Sequence, residues 1–164
     1  MLPTIAIGIY VAALTVAAAS DLTRYEIPNM ASTALVAAFV LSSFSSPSSS
    51  AIWHASAGLI VFGAAALLFA VGLCGGGDVK LLGATALWMG WSELLEFLCL
   101  MALGGGVLAL VLMTVRGVTT QPAQTGHWYS RILQTDEGVP YGVAIAAAGL
   151  CFVPRLLAIG LTAG

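Results

Sequence analysis

Two aspartates border long apolar segments of this chain. Asp21 ends the first apolar run, and Asp78 follows three successive glycines directly before a later run. An acidic side chain at membrane depth is costly to bury and is therefore a candidate for function. Two carboxyl groups at close range share one proton, because like charges do not ionise together there. One then acts as a general base on water while its protonated partner polarises an amide carbonyl, which is the chemistry of peptide hydrolysis.

The glycines Gly75–Gly77 suggest how Asp78 is positioned. Three glycines permit a turn and let another backbone approach closely, and non-helical backbone inside a membrane survives only where protein or a water-filled cavity satisfies it. The following run, Val79–Trp91, is short, so its start is expected below the lipid surface, with Asp78 in a wet cleft and a peptide substrate against the glycines. The alternative is that Gly75–Gly77 only break a helix and that Asp78 is an N-cap.

Composition identifies the elements that must carry these residues. Of the 164 residues, 60% are hydrophobic and 7% are charged, and the mean hydropathy is +1.03, whereas a soluble domain carries about 25% charged residues. We therefore expect an all-α, polytopic membrane protein with a single transmembrane domain over residues 1–164. About six transmembrane helices are predicted from the apolar runs Leu2–Ser20, Met30–Phe44, Ile52–Leu73, Val79–Trp91, Glu93–Val115 and Val139–Leu161.

Two of these runs, 30–44 and 79–91, are short for a bilayer, which needs about 20 apolar residues. Four spanning helices with two re-entrant segments are therefore the alternative to six. In either case the lipid bilayer is a partner of this chain.

Charge and cysteine usage exclude several classes of protein. The net charge of −2 offers no basic face for the phosphates of a nucleic acid. The three cysteines form no C-x-x-C pair, which argues against a zinc ribbon or a disulfide framework. His54 and His127 are expected on opposite sides of the membrane, so no metal site is predicted.

The basic residues indicate an orientation. Six crossings place four of the five on one face: Arg24, Lys80, Arg116 and Arg131. Arg155 alone lies near the other face. By the positive-inside rule the first face is cytoplasmic, and Asp21 and Asp78 are then both at cytoplasmic helix ends. The polar segment 116–138 on this face is either a solvated connector or a loop that docks substrate.

Three motifs of the chain resemble those of one enzyme family. Gly75-x-Gly77-Asp78 resembles the GxGD signature of intramembrane aspartic proteases, and its extension Asp78-Val79-Lys80-Leu81 resembles the form found in type IV prepilin peptidases. Asp21 with Ile27-Pro28-Asn29 resembles the segment of the first catalytic aspartate in that family, and Val139-Pro140-Tyr141-Gly142 resembles the motif that opens its last helix. The likeness runs in the expected order from about Tyr10 to Leu150.

This resemblance implies a membrane-embedded aspartic endopeptidase that uses no cofactor and no metal. Asp21 and Asp78 are its expected catalytic residues, and cleavage removes the leader peptide of a prepilin or pseudopilin at the cytoplasmic face of the inner membrane. The expected substrate-binding residues are Gly75, Gly77, Lys80, Pro140, Tyr141 and Gly142. Lys80 either biases Asp78 toward its charged form or extends to the interface. Pro28 and Asn29 are expected to shape the loop beside the site and the start of the second helix.

The chain departs from the larger prepilin peptidases in one respect. Those enzymes carry a cytoplasmic insertion with two C-x-x-C pairs, associated with methylation of the mature pilin, and no such insertion stands in this sequence. The chain therefore resembles the compact peptidases of tight-adherence (Flp) pili or their archaeal preflagellin counterparts. The short segment between Asp21 and Pro28 favours the bacterial pilus version.

A function of another class also fits two acidic residues in apolar helices. A small ion- or proton-coupled transporter or channel would use Asp21 and Asp78 as a relay. Such a protein more often places its acids near the midplane and shows repeated halves. Here both acids are expected at one face and no repeat is found, which favours the peptidase.

Overall fold

A computed structural model describes residues 2–45, 50–118 and 138–162 of the chain. Within these ranges every regular element is a helix, which confirms the predicted all-α class. The helices are α1 (Leu2–Arg24), α2 (Asn29–Ser45), α3 (Ser50–Ala70), α4 (Gly76–Val118), α5 (Tyr141–Cys151) and α6 (Val153–Thr162).

Four stretches of these helices are long and apolar enough to cross a bilayer: Thr4–Arg24, Ala51–Ala70, Gly76–Gly117 and Tyr141–Ala158. The helix of 29–43 is apolar but shorter. The chain is thus a polytopic membrane protein, while the exact number of six crossings stays a prediction.

Helix α4 joins two apolar runs that the sequence separates. It is interrupted at Gly90, whose backbone (φ 59°, ψ −169°) is not helical. A Cβ atom at this position would lie 2.8 Å from the imidazole of His54. Glycine is therefore required both for the left-handed φ and for the close approach of α3. The last predicted run is also divided, because α5 ends at Cys151 and α6 begins at Val153.

Contacts between helices define two ends of the molecule. At the first, here called the Asp21 end, the C-terminus of α1 meets the start of α5, and Lys80 of α4 meets Asn29 of α2. At the second, the Glu93 end, Arg155 of α6 binds the carboxylates of Glu93 and Glu96. The end of α1 and the starts of α2, α4 and α5 therefore all lie at the Asp21 end.

The basic residues follow the same division. Arg24 and Lys80 lie at the Asp21 end, where Arg116 donates a hydrogen bond to the carbonyl of Gly138 at 3.1 Å. Arg155 lies at the Glu93 end. The prediction for Arg131 and for most of the loop 116–138 falls outside the described residues. Three of the four basic residues in the described ranges thus lie at the Asp21 end, which is consistent with the predicted orientation.

A labelling experiment tests this arrangement. We expect Thr23→Cys, at the Asp21 end, to react with a membrane-impermeant maleimide only after the cytoplasm is opened. Ser92→Cys, which directly precedes Glu93 at the Glu93 end, is expected to react in intact cells. Both positions are exposed, so a difference in labelling reports the side of the membrane. The three natural cysteines are replaced by alanine in both variants, and permeabilised cells serve as the control for reactivity. Labelling of both cysteines from the same side would contradict the topology.

The core lies where α1, α2, α4 and α5 converge. Tyr10 is fully buried, and its ring packs at a tilt against Trp88 with the ring centroids 4.9 Å apart. Its hydroxyl donates a hydrogen bond to the carbonyl of Gly149 at 2.9 Å. Trp88 in turn donates its indole N–H to the carbonyl of Leu35. Large apolar side chains cover the outside, as lipid contact requires, among them Ile52, Leu67, Leu103 and Leu110.

Tyr10→Phe is expected to destabilise the protein by about 1 kcal/mol, because it removes one buried hydrogen bond while keeping the ring. The Phe ring still fills the space against Trp88. Thermal unfolding in detergent, compared with Thr15→Val as the control, measures the effect. Thr15 bonds only the carbonyl of Val11 in its own helix and is exposed, so its loss is expected to leave Tm nearly unchanged. Equal Tm values for Tyr10→Phe and wild type would contradict the prediction.

Candidate active site

A cleft of about 330 Å³ opens at the Asp21 end. It is formed by the last turn of α1, the connection to α2, and the segment that leads into α4. Its lining residues are Asp21, Tyr25, Glu26, Ile27, Gly75, Gly76, Gly77 and Asp78. Two aspartates 57 positions apart in the sequence thus line the same small space, together with all three of the successive glycines Gly75–Gly77.

Asp21 is held by the start of α5. Helix α1 continues to Arg24, so Asp21 lies inside its last turn and is only 5% exposed. The N-cap residue of α5, Pro140, supplies no side-chain capping bond, and the first amides of a helix have no partner within it. The Asp21 Oδ2 atom accepts a hydrogen bond from the N–H of Val143 at 3.2 Å, and the N–H of Gly142 contributes another. One carboxylate oxygen is therefore fixed by a helix 120 residues further along the chain.

Gly142 makes this contact sterically possible. A Cβ atom there would lie 2.8 Å from the Asp21 Oδ2 atom and 2.6 Å from Cδ1 of Ile27. Both distances are below contact for a real side chain, so a larger residue requires the Asp21 carboxyl group and the end of the Ile27 side chain to shift. The absence of a side chain at Gly142 therefore leaves the space that the Asp21 carboxyl group occupies.

Asp78 lies in the first turn of α4, which begins at Gly76. Its Oδ2 atom accepts a hydrogen bond from the N–H of Gly75 at 3.3 Å. The alternative that Asp78 is the N-cap of this helix is therefore wrong, since the helix already includes it. Its carboxylate nevertheless satisfies an amide just before the helix, as acidic groups near a helix N-terminus do.

The turn before α4 differs in one respect from the expectation based on Gly75–Gly77. The residue with a left-handed backbone is Gly72 (φ 77°), two positions after the last residue of α3, whereas none of the three later glycines has a positive φ. What these glycines contribute is a close approach between two segments, because a Cβ atom on Gly77 would lie 3.0 Å from Cβ of Ile27. The glycines let the α1–α2 connection pack directly on the start of α4.

Ile27 joins the two halves of the cleft. Its side chain lies against Gly77 on one side and against Gly142 on the other. The connection is held by the Ser20 hydroxyl, which donates to the carbonyl of Glu26 at 2.7 Å, and it turns at Tyr25, whose φ is 55°. The resemblance pointed to Ile27 only as part of a motif, and its packing role emerges from the geometry.

Lys80 does not lie among the cleft residues. Its ammonium group donates a hydrogen bond to Oδ1 of Asn29 at 2.8 Å and so ties α4 to α2 beside the cleft. Asn29 is the first residue of α2, and Pro28, which precedes it, accepts the N–H of Ala31 and starts the helix. The structure therefore brings Pro28, Asn29 and Lys80 together next to the aspartates.

The motif at 139–142 divides between two positions. Gly142 contacts Asp21, as described, while Pro140 is buried. The Tyr141 ring extends away toward Gly105 of α4, where a Cβ atom would lie 2.9 Å from it. The predicted substrate-binding roles of these residues stay predictions.

Negative charge dominates the cleft, because three carboxylates line it and no basic side chain is among its lining residues. The thiol of Cys74, in the turn between α3 and α4, is affected by this charge through its pKa. Desolvation and the neighbouring Asp78 both raise the pKa of its thiol. The protonated thiol contacts the carbonyl of Ala65 at 3.5 Å. Within the described ranges no group of three or more His, Cys, Asp or Glu side chains is placed to hold a metal ion.

Two contributors to the cleft were missed by sequence reasoning. Tyr25 lines it, and the Val143 N–H binds Asp21. Backbone donors carry no signal in residue type. The proline at position 140, which marks the start of a helix without a side-chain cap, is the one local hint that free amides follow it.

Comparison with known proteins gives one match. The model of the type IV leader peptidase family matches residues 8–110, which is more than half of the chain and includes both aspartates. No curated protein and no solved structure matches the chain.

Proposed function

The chain belongs to the type IV leader peptidase family, and we propose that within it this protein is an aspartic endopeptidase that cleaves the leader from Flp-type prepilins. The observation that carries the proposal is the cleft that Asp21 and Asp78 both line. Two carboxyl groups that line one small space support a pair that shares one proton.

The proposed mechanism divides the work between the two carboxyl groups. The ionised aspartate takes a proton from a water molecule as its oxygen attacks the scissile carbonyl carbon. The protonated aspartate donates a hydrogen bond, and then its proton, to the carbonyl oxygen. When the tetrahedral intermediate collapses, the C–N bond breaks and the leaving amine takes up the proton held by the first aspartate. As the new carboxyl group forms, one hydroxyl of the intermediate returns its proton to the second aspartate. The pair then again holds one proton, and no metal or cofactor takes part.

The Asp21 contacts support this mechanism. Because the N–H of Val143 binds its Oδ2 atom and the N–H of Gly142 also donates to the carboxyl group, this group is oriented before substrate arrives. Pre-oriented groups avoid the cost of ordering at the moment of reaction. The exposed cleft rim, which includes Glu26 and Gly75, leaves room for an extended peptide.

The charges support a cytoplasmic active site. Arg24, Lys80 and Arg116 lie at the Asp21 end, and positive residues accumulate on the cytoplasmic side of inner-membrane proteins. The negative cleft suits the basic leader that prepilins carry before the cleaved bond. The absence of a C-x-x-C pair from the sequence favours the compact Flp type, which does not methylate its product.

Proteolysis by purified protein tests the proposal. The protein in lipid nanodiscs is incubated with a prepilin-type peptide that has a basic leader, a glycine and a hydrophobic helix. We expect mass spectrometry to show one cut after the glycine. A peptide with the glycine replaced by leucine is the control for specificity. An intact peptide after prolonged incubation, together with ion flux in proteoliposomes, would instead favour the transporter.

A further inference from the structure

A second and larger concavity lies beside the cleft. An open groove of about 720 Å³ runs along α2, α3 and the first part of α4. Its walls are predominantly apolar and include Val36, Ala37, Leu59, Phe62, Ala84 and Leu87. Leu59 and Phe62 are 71% and 42% exposed within the chain, so the groove opens toward the lipid.

The groove begins where the catalytic cleft ends. Its lining includes Asn29 and Lys80, which hydrogen bond to each other at 2.8 Å. Asn29 follows Ile27 of the cleft after one residue, and Lys80 follows Asp78 after one residue. A polypeptide that lies across the two aspartates therefore reaches the groove within a few residues.

The length and wall of the groove fit a helix. On α2 it extends from Asn29 to Ala37, which is about 12 Å at 1.5 Å per residue, or roughly two turns of a neighbouring helix. Its lining includes the small residues Ala37, Ala55 and Ala84. Small residues allow a second helix to approach closely in a membrane, where packing rather than the hydrophobic effect holds helices together.

A polar group in the wall favours a polypeptide over a lipid chain. Ser32 lines the groove and is 7% exposed, and its hydroxyl makes no hydrogen bond within the described part of the chain. A buried hydroxyl without a partner is unfavourable. A peptide helix has polar side chains that can supply a partner to this hydroxyl, whereas an acyl chain has none at this depth.

We propose that the groove between α2, α3 and α4 binds the hydrophobic helix of the substrate that follows the scissile bond. This inference rests on the proposed function and adds the place where the membrane-embedded part of the substrate is recognised. The leader lies in the acidic cleft, and the helix beyond the cut lies in the groove. Recognition of the helix thus determines which bond lies at the two aspartates.

Obstruction of the groove tests the proposal. Ala37→Phe places a bulky side chain on the groove wall, and Ala102→Phe makes the same change on an exposed face of α4 outside the groove. Both variants are assayed on the full prepilin-type peptide and on a short soluble peptide that ends four residues after the cut. We expect Ala37→Phe to raise KM for the full peptide at least tenfold with kcat nearly unchanged. Its kinetics on the short peptide are expected to match wild type, as are those of Ala102→Phe on both peptides.

Two outcomes would overturn the inference. One is that Ala37→Phe and Ala102→Phe act alike on the full peptide. The other is an equal loss by Ala37→Phe on both peptides, because the groove would then not discriminate the hydrophobic helix. Failure of the proposed function is distinct, since it shows as an absence of cleavage by the wild-type protein itself.

Photo-crosslinking identifies the occupant directly. Benzoylphenylalanine in place of Val36 is introduced into the Asp78→Asn protein, which is expected to bind substrate without cutting it. With saturating full-length peptide we expect adducts on the hydrophobic helix of the peptide, and none when the reactive residue replaces Val107 on the outside of α4. Adducts only with lipid, or only with a second copy of the enzyme, would overturn the proposal.

Discussion

Asp21→Asn and Asp78→Asn are each expected to abolish prepilin cleavage. Either change removes one ionisable carboxyl group at nearly constant volume from the cleft that both residues line. An amide neither takes a proton from water nor holds the shared proton. The expected loss of kcat is on the order of 10²–10⁴-fold, the range that general acid–base catalysis supplies, or more.

The double variant is informative about the pair. Groups that act as one unit give non-additive losses, so Asp21→Asn with Asp78→Asn is expected to be little slower than either single variant. Wild-type activity is expected to rise and then fall with increasing pH, because the active form of the pair holds one proton. Product formation followed by mass spectrometry at several pH values measures both effects.

Glu93→Gln is the matched control, because Glu93 lies at the opposite end of the molecule and Arg155 keeps its contact with Glu96. It is expected to retain wild-type activity. All variants are compared at equal amounts of inserted protein. Cleavage by either asparagine variant at the wild-type rate would rule out the aspartic mechanism.

Gly142→Val is expected to reduce cleavage by roughly 100-fold, the scale of loss produced by a displacement of about 1 Å at an active site. The first side-chain carbon alone would lie 2.8 Å from Oδ2 of Asp21 and 2.6 Å from Cδ1 of Ile27. The carboxyl group must move away from the N–H of Val143 to relieve this contact. The reaction therefore loses an oriented group although neither aspartate is changed.

Gly104→Val separates this effect from a general helix effect. It replaces a helical glycine by the same residue, but a Cβ atom there has no neighbour within 4 Å. Its kcat and Tm are expected to stay close to those of wild type. If Gly142→Val cleaves as fast as Gly104→Val, the contact with Asp21 does not orient the reaction.

Much of the fold follows from the sequence because helix formation in a membrane is local. Lipid offers no hydrogen bonds, so each apolar segment satisfies its backbone within itself. The apolar runs therefore predict the helices directly, although α1 continues four residues past its run to Arg24 and α4 joins two runs across Gly90. The acids also stand out locally, since carboxyl groups beside lipid are rare.

The arrangement around the acids required the tertiary structure, because it depends on backbone groups and on packing between distant segments. No residue type marks the N–H of Val143 as the partner of Asp21, and only the packing of α5 on α1 brings them within 3.2 Å. Likewise, Lys80 stands two positions from Asp78 in the sequence but bonds Asn29 on another helix. The left-handed turn lies at Gly72 rather than in Gly75–Gly77, because the end of α3, and not the run of glycines, determines where the chain reverses. Residue type thus determined which groups are available for chemistry, and helix packing decided which of them meet. The reason is that packing contacts form between residues that are close in space, whatever their separation along the chain.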